Sequence, residues 1–303
     1  MGELDFDKEI ESLVAQYRHA ADLIVAKLEA GSRYALSTKK QRVLLAEILA
    51  ILDRLDAESR AWVDKHIPTA WRAGQATALV GIGEAATFAK AADIVSGIGM
   101  VNEDMVKAIV SDTHEDLLAA TNNMRVKAKR AVRNAIIPHT RLASITGEKA
   151  KSVAKRASDD VRAARVATVD VAGRRWSPEV YTRVIVKTKL AQAHREGATE
   201  QAVAYGFDLA RISAHGAKDA CRNFEGALLS LTGATAGYRT VAELKASGLI
   251  FHPQCRHVIS PLNPALMPES EREKAEAMVE KVDEALKLAA DGKMNSHGMK
   301  KGA

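Results

Sequence analysis

Apolar residues recur at three- and four-residue steps through the first third of the chain, the pattern of helices with one buried face. Phe6, Ile10, Leu13, Tyr17, Ile24 and Leu28 predict a first helix over residues 5–30, closed by Gly31. A second helix is expected from Thr38, which stands three residues before Gln41 in capping-box spacing. Leu44, Ile48, Leu52, Leu55 and Trp62 line one side of it. Pro68 is expected to end or kink it, because proline has no amide hydrogen and crowds the preceding turn. A third segment contains Trp71, Gly74 and further small residues that let helices approach closely. Asn102 is placed to cap another helix, with Glu103 and Asp104 in its first turn. Val106, Ile109, Val110, Leu117 and Leu118 carry that helix on, and it is expected to reach Pro138.

The texture changes near residue 173. Ser177-Pro178-Glu179 opens a helix expected to run to about Tyr205, where Gly206 stops it. "FDLARISAH" then reads as a strand, and "GALLSLTGATAGYRTVAEL" as a short strand, a Gly-rich loop and a short helix. A further strand is expected in "GLIFHPQCRHVISPL", around Cys255. A charged amphipathic helix follows Pro268, and the tail "KMNSHGMKKGA" is expected to be disordered. The fold class is therefore α+β, predominantly α-helical, with long N-terminal helices followed by a small mixed C-terminal domain with a few strands. The expected division is a helical domain over 1–175, a small α+β domain over 176–265, and a charged helix with its tail over 266–303.

Composition changes this picture little. Hydrophobic residues make up 47% of the 303 residues and charged residues 27%, as in globular proteins. The most apolar stretch, residues 76–99, is interrupted by Glu84, Lys90 and Asp93, so no membrane helix is expected. The acidic, polar start "MGELDFDKEIES" does not read as a signal peptide, and synthesis in a cytoplasm is expected.

Charge changes it more. Residues 124–175 hold 14 Lys and Arg against four acids, a net +10 in a chain of net +6, so the remainder is net acidic. Such a stretch suits a phosphate backbone, and equally an acidic protein partner or a solvated helix face. Lys127, Lys129, Arg130 and Arg133 are the candidate nucleic-acid contacts. No aromatic residues are interleaved to stack on bases, which counts against nucleic acid, and binding through phosphates alone would ignore sequence.

Candidate chemistry gathers around the only two cysteines, Cys221 in "HGAKDACRNFEG" and Cys255 in "FHPQCRH". Three readings stand side by side. One is a structural zinc ion held by His215, Cys221, Cys255 and His257, with His252 as an alternative ligand; in a strand, Cys255 and His257 would share a face. The second is a disulfide, and the third a pair of reduced thiols packed in a small core. Glu225 and Arg256 are expected to pair. No Walker A, GxSxG, HExxH or zinc-deaminase pattern occurs, and no catalytic residue is assigned.

The segment from Tyr181 to Gly233, followed by "GLIFHPQCRHVISPLNP", resembles the C-terminal domain of tailed-phage minor capsid (minor head) proteins, related to the Mu-type head-morphogenesis family. The resemblance rests on Lys187-Thr188 in the helix, on Cys221 to Gly226, and on His252 to His257, and covers about 85 residues. The single cysteine in each half, and "CRH" in place of "CRC", depart from the four-cysteine relatives. The resemblance implies a non-enzymatic structural component of a phage head, acting with the portal protein, the major capsid protein and packaged double-stranded DNA. Competing readings are a sequence-independent nucleic-acid-binding protein and a zinc-dependent enzyme.

Overall fold

A computed structural model describes residues 6–32, 38–98, 102–133, 168–169 and 175–299. The main elements are α1 (Asp7–Ser32), α2 (Thr38–Ile82), α3 (Phe88–Ile98), α4 (Glu103–Ala131) and α5 (Pro178–Ala204). After them come β3 (Leu209–Ile212), β4 (Leu228–Ser230), α6 (Val241–Ala246), β5 (Ile259–Pro261) and α7 (Glu269–Ala290). A two-residue pair, β1 (Thr168–Val169) with β2 (Arg175–Trp176), precedes α5, and a hairpin, β6 (Met294–Asn295) with β7 (Gly298–Met299), follows α7. The fold is predominantly helical with a few short antiparallel strands near the C-terminus, as the hydrophobic pattern predicts.

The chain forms two compact units, and neither is continuous in sequence. One comprises Met1–Asp64 and Ser111–Val186, the other Lys65–Val110 and Lys187–Ala303. The expected linear division at residue 175 is replaced by boundaries inside α2, α4 and α5. Long helices permit this, because one helix can present its two halves to different cores.

In the first unit, Leu13, Val14, Tyr17, Ile24 and Leu28 of α1 are buried, as are Ile48, Leu52 and Leu55 of α2 and Leu117, Ala120 and Met124 of α4. Tyr17 connects all three helices: its hydroxyl donates to the Leu117 carbonyl (3.4 Å) and lies 3.2 Å from Ser59 Oγ. Trp62 Nε1 donates to the Glu9 carbonyl at 3.0 Å. Arg125, counted in the basic stretch, is a packing residue: its Nη2 sits 2.7 Å from Asp53 and 2.5 Å from Asp56.

The second unit is built on backbone contact between helices. A Cβ placed on Gly74 of α2 would lie 2.0 Å from the His194 carbonyl oxygen of α5, and one on Gly197 of α5 would lie 2.3 Å from the Trp71 carbonyl oxygen. A Cβ on Gly81 would meet the Pro261 carbonyl oxygen of β5 at 1.9 Å. Buried polar side chains line the same helix pair. Gln75 Nε2 donates to Gln201 Oε1 (2.9 Å), and Thr77 Oγ1 lies 3.1 Å from His194 Nε2. Burial, and secondarily the neighbouring Arg195, push the His194 pKa down to about 3, so the ring is neutral.

The sheet has order β4-β3-β5, antiparallel throughout, with Ala210 opposite both Leu229 and Pro261. Ala210 and Ile212 point into a core with Phe224, Leu229, Leu249 and Ile259. Strands this short leave the loops to be fixed by side chains. Asp208 fixes the Gly-rich loop: its carboxylate accepts from Ser230 Oγ, from the amide and hydroxyl of Thr232 and from the amide and hydroxyl of Thr235, at 2.5–2.9 Å.

Four local expectations are corrected. Helix α2 runs unbroken through Pro68. Ile67, Ala70 and Trp71 around it are fully buried, and burying three side chains offsets a proline cost of about 3 kcal/mol. The strand expected around Cys255 begins only at Ile259, and Cys255 lies in a loop. Residues 294–299 of the tail form the β6–β7 hairpin, and the Ser296 carbonyl accepts from the Ala220 amide at 3.2 Å. Arg256 is exposed, and Glu225 binds other partners, described below. The expected continuation of α4 to Pro138 and most of the basic stretch lie outside the described residues.

Three outcomes follow for stability. Gly197→Ala should cost about 3 kcal/mol in urea unfolding, because the obstruction is backbone. Gly97→Ala, in α3 with nothing within 4 Å, should instead gain up to about 1 kcal/mol. For Asp208, partial burial raises the carboxyl pKa, but the hydrogen bonds from Ser230, Thr232 and Thr235 outweigh it and hold it well below the usual range. Its stabilisation is therefore present above the unfolded carboxyl pKa of about 3.9 and lost as pH falls below it. Asp208→Asn should cost about 2 kcal/mol at pH 7, and urea titrations should show that gap narrowing toward pH 3.

Candidate functional site

The two cysteines sit on two loops of the second unit. Cys221 lies in a 3₁₀ turn, Ala220–Asn223, capped by Asp219, whose Oδ1 accepts from the Cys221 amide at 3.1 Å. Cys255 lies in the loop 251–257, where Phe251 and Gln254 hold the left-handed φ values of 55° and 68°. Such values are uncommon for side chains with a Cβ, and a bulky residue keeps them only where surrounding contacts over-determine the backbone. Here those contacts are visible. The Gln254 amide reaches Thr188 Oγ1 of α5 at 3.4 Å, and the Arg195 guanidinium lies 4.9 Å from the centre of the Phe251 ring. The Cys255 amide donates to the His252 carbonyl at 2.9 Å.

Both sulfurs are buried and lie 3.8 Å apart. Cys221 Sγ is 3.2 Å from His252 Nε2 and 3.4 Å from the Leu249 carbonyl oxygen. Cys255 Sγ is 3.3 Å from His257 Nδ1. His257 in turn places Nε2 3.2 Å from Glu225 Oε1. Glu225 also accepts from the amides of His215 and Ala217, both at 2.9 Å, so this carboxylate fastens the 213–217 loop to the Cys255 loop. The His215 and His257 rings are stacked at a tilt, 4.2 Å between centres.

The four residues expected to hold a metal therefore divide. Cys221 and Cys255 group with His252, whose candidate ligand atoms all lie within 4.8 Å of one another. His215 and His257 group with Glu225 instead. Strand alternation does not place Cys255 beside His257; the bend of the loop does. His252, first an alternative, belongs to the sulfur group. The signal for Glu225 as the partner of His257 was absent from the sequence, where 32 residues separate them.

The electrostatics are those of a buried, hydrogen-bonded chain. The Cys221 thiol is pushed up, first because its hydrogen bond to Cys255 holds the proton and then by burial. The Cys255 thiol is pulled down by the same hydrogen bond and, against the effect of burial, by His257. Burial lowers the His257 pKa, but Cys255 and Glu225 on its two nitrogens outweigh that and raise it. Acceptors on both of its nitrogens thus favour the protonated form of the His257 ring.

Lys127, Lys129 and Arg130 are on the last turns of α4, and Arg133 lies just beyond its end. Lys129, Arg130 and Arg133 are exposed, and Lys127 is half-buried. They are in the first unit, whereas the cysteine loops are in the second.

Because Glu225 carries three hydrogen bonds that shape both loops, Glu225→Ala should cost about 2–3 kcal/mol in urea unfolding at neutral pH. Glu225→Gln, which keeps one acceptor oxygen, should cost less. Equal stability of all three proteins would refute this fastening role.

No curated protein and no solved structure matches the chain. A family model does, that of phage minor capsid protein 2, over residues 37–293. The match takes in α2 through α7, both cysteine loops and the exposed basic end of α4. The chain belongs to the phage minor capsid protein 2 family, a family of structural components of the virion.

Proposed function

We propose that the protein works during head assembly beside the portal protein and the major capsid protein, with the end of α4 turned toward packaged double-stranded DNA. The role is structural, and no residue is assigned to catalysis. The observation that carries the DNA contact is the placement of Lys129, Arg130 and Arg133, all exposed, at the start of the stretch that concentrates a net +10. Arg125 does not share in it, because Asp53 and Asp56 neutralise it within the fold. Cations displayed this way neutralise phosphates and release counterions, which gives affinity without reading bases.

The test is duplex binding by gel shift at several salt concentrations. The parent should bind unrelated duplexes alike, with affinity falling steeply as salt rises. Replacing Lys127, Lys129, Arg130 and Arg133 together by Gln should weaken binding and flatten the log–log salt slope by about 3 to 4. Thermal unfolding should be nearly unchanged, since three of the four side chains are solvated. If the variant binds as well as the parent, DNA is not the anionic partner of this helix end. Incorporation of the variant into heads then tests a protein partner at the same place.

A further inference from the structure

We infer that Cys221, His252 and Cys255 bind one zinc ion, which clips the 3₁₀ turn to the loop 251–257. Three observations converge. The first is spacing. Two thiolates on one tetrahedral zinc, with bonds of about 2.3 Å, stand about 3.8 Å apart, and a thiolate and an imidazole nitrogen about 3.5 Å apart. The sulfurs of Cys221 and Cys255 are separated by 3.8 Å, and Cys221 Sγ and His252 Nε2 by 3.2 Å. A disulfide requires about 2.05 Å, so the sulfurs are set apart as co-ligands are.

The second observation is the tautomer of His252. Its Nδ1 lies 3.0 Å from the Pro253 carbonyl oxygen, which can only accept, so Nδ1 carries the hydrogen. In the neutral ring Nε2 then offers its lone pair 3.2 Å from Cys221 Sγ, with Asp219 Oδ2 3.5 Å away. An imidazole nitrogen, a carboxylate and two sulfurs facing one another are a donor set that suits a cation. A backbone carbonyl fixing the far nitrogen of a ligand histidine is the usual outer support of such a site.

The third observation is charge and burial. Both cysteines are buried, and two thiolates cancel the charge of a zinc ion, so zinc with Cys221, Cys255 and a neutral His252 is uncharged and tolerates burial. Soft sulfur with imidazole selects zinc over magnesium or calcium. The fourth position falls to Asp219 or to water. His257 stays outside the ligand set, as the donor that orients the Cys255 sulfur. The His215–Glu225–His257 group is not the site, because Glu225 is already occupied by two backbone amides and His257.

This inference does not depend on the DNA contact, and its test reads metal alone. The full-length protein, purified under reducing conditions and incubated with zinc sulfate, should hold one zinc per chain after gel filtration, by elemental analysis. Cobalt substitution should give the visible bands of a tetrahedral site and a thiolate charge-transfer band. Cys221→Ser, Cys255→Ser and His252→Ala should each lose the metal, whereas His215→Ala should keep it. A chelator should lower the melting temperature of the parent. Should a variant fail to fold, stoichiometry and the cobalt spectrum of the parent still decide. Absence of zinc from the folded parent, a spectrum without thiolate bands, or full zinc retention by His252→Ala would overturn the inference. So would a Cys221–Cys255 disulfide found in the parent in place of metal.

Discussion

Three missing side chains hold the second unit together. At Gly74, Gly197 and Gly81, the backbone of one element rests directly on the backbone of another, at distances no Cβ allows. Contacts of this kind have no rotamers to adjust, so they fix α5 and β5 against α2 with little play. Helix α5 in turn supplies Thr188 and Arg195, which hold the strained loop of Phe251 and Gln254. The position of Cys255 is therefore set by glycines far away in sequence, through a helix that cannot shift without collision.

Carboxylates do for the loops what glycines do for the helices. Asp208, Asp219, Glu225 and Glu243 each accept at least one backbone amide and shape a turn. Thr240 and Glu243 complete a capping box at the start of α6. Strands of three or four residues form few ladder bonds, so charged acceptors supply the order that a larger sheet would provide. The first unit uses side-chain ties between helices instead, through Tyr17, Trp62 and Arg125.

The helices were legible because their periodicity is strong. All the apolar positions read for α1 and α2 are buried, apart from the half-buried Phe6. Asn102 caps α4, with its Oδ1 taking the Met105 amide at 3.3 Å. Pro68 does not end α2, because its effect is local whereas the burial around it is tertiary. The discontinuous units were illegible for the same reason: periodicity says that a face is buried, not which core buries it. The cysteine and histidine types pointed to two loops that the structure brings together. Which of these side chains stand together depended on a bend at positive φ and on Glu225, neither of which leaves a trace in residue spacing.

The contact between Ser296 and Ala220 bears on the order of events during synthesis. Residues 65–110 emerge from the ribosome long before 187–303, yet the two segments make one unit. The part of α2 around Trp71 and Gly74, which rests on the α5 backbone, therefore waits while more than a hundred residues are translated. The turn that carries Cys221 receives its last hydrogen bond only when residue 296 has cleared the exit tunnel. Before α5 follows, the nascent chain displays that apolar helix face to whatever it meets, and an exposed apolar face of this kind is prone to aggregation.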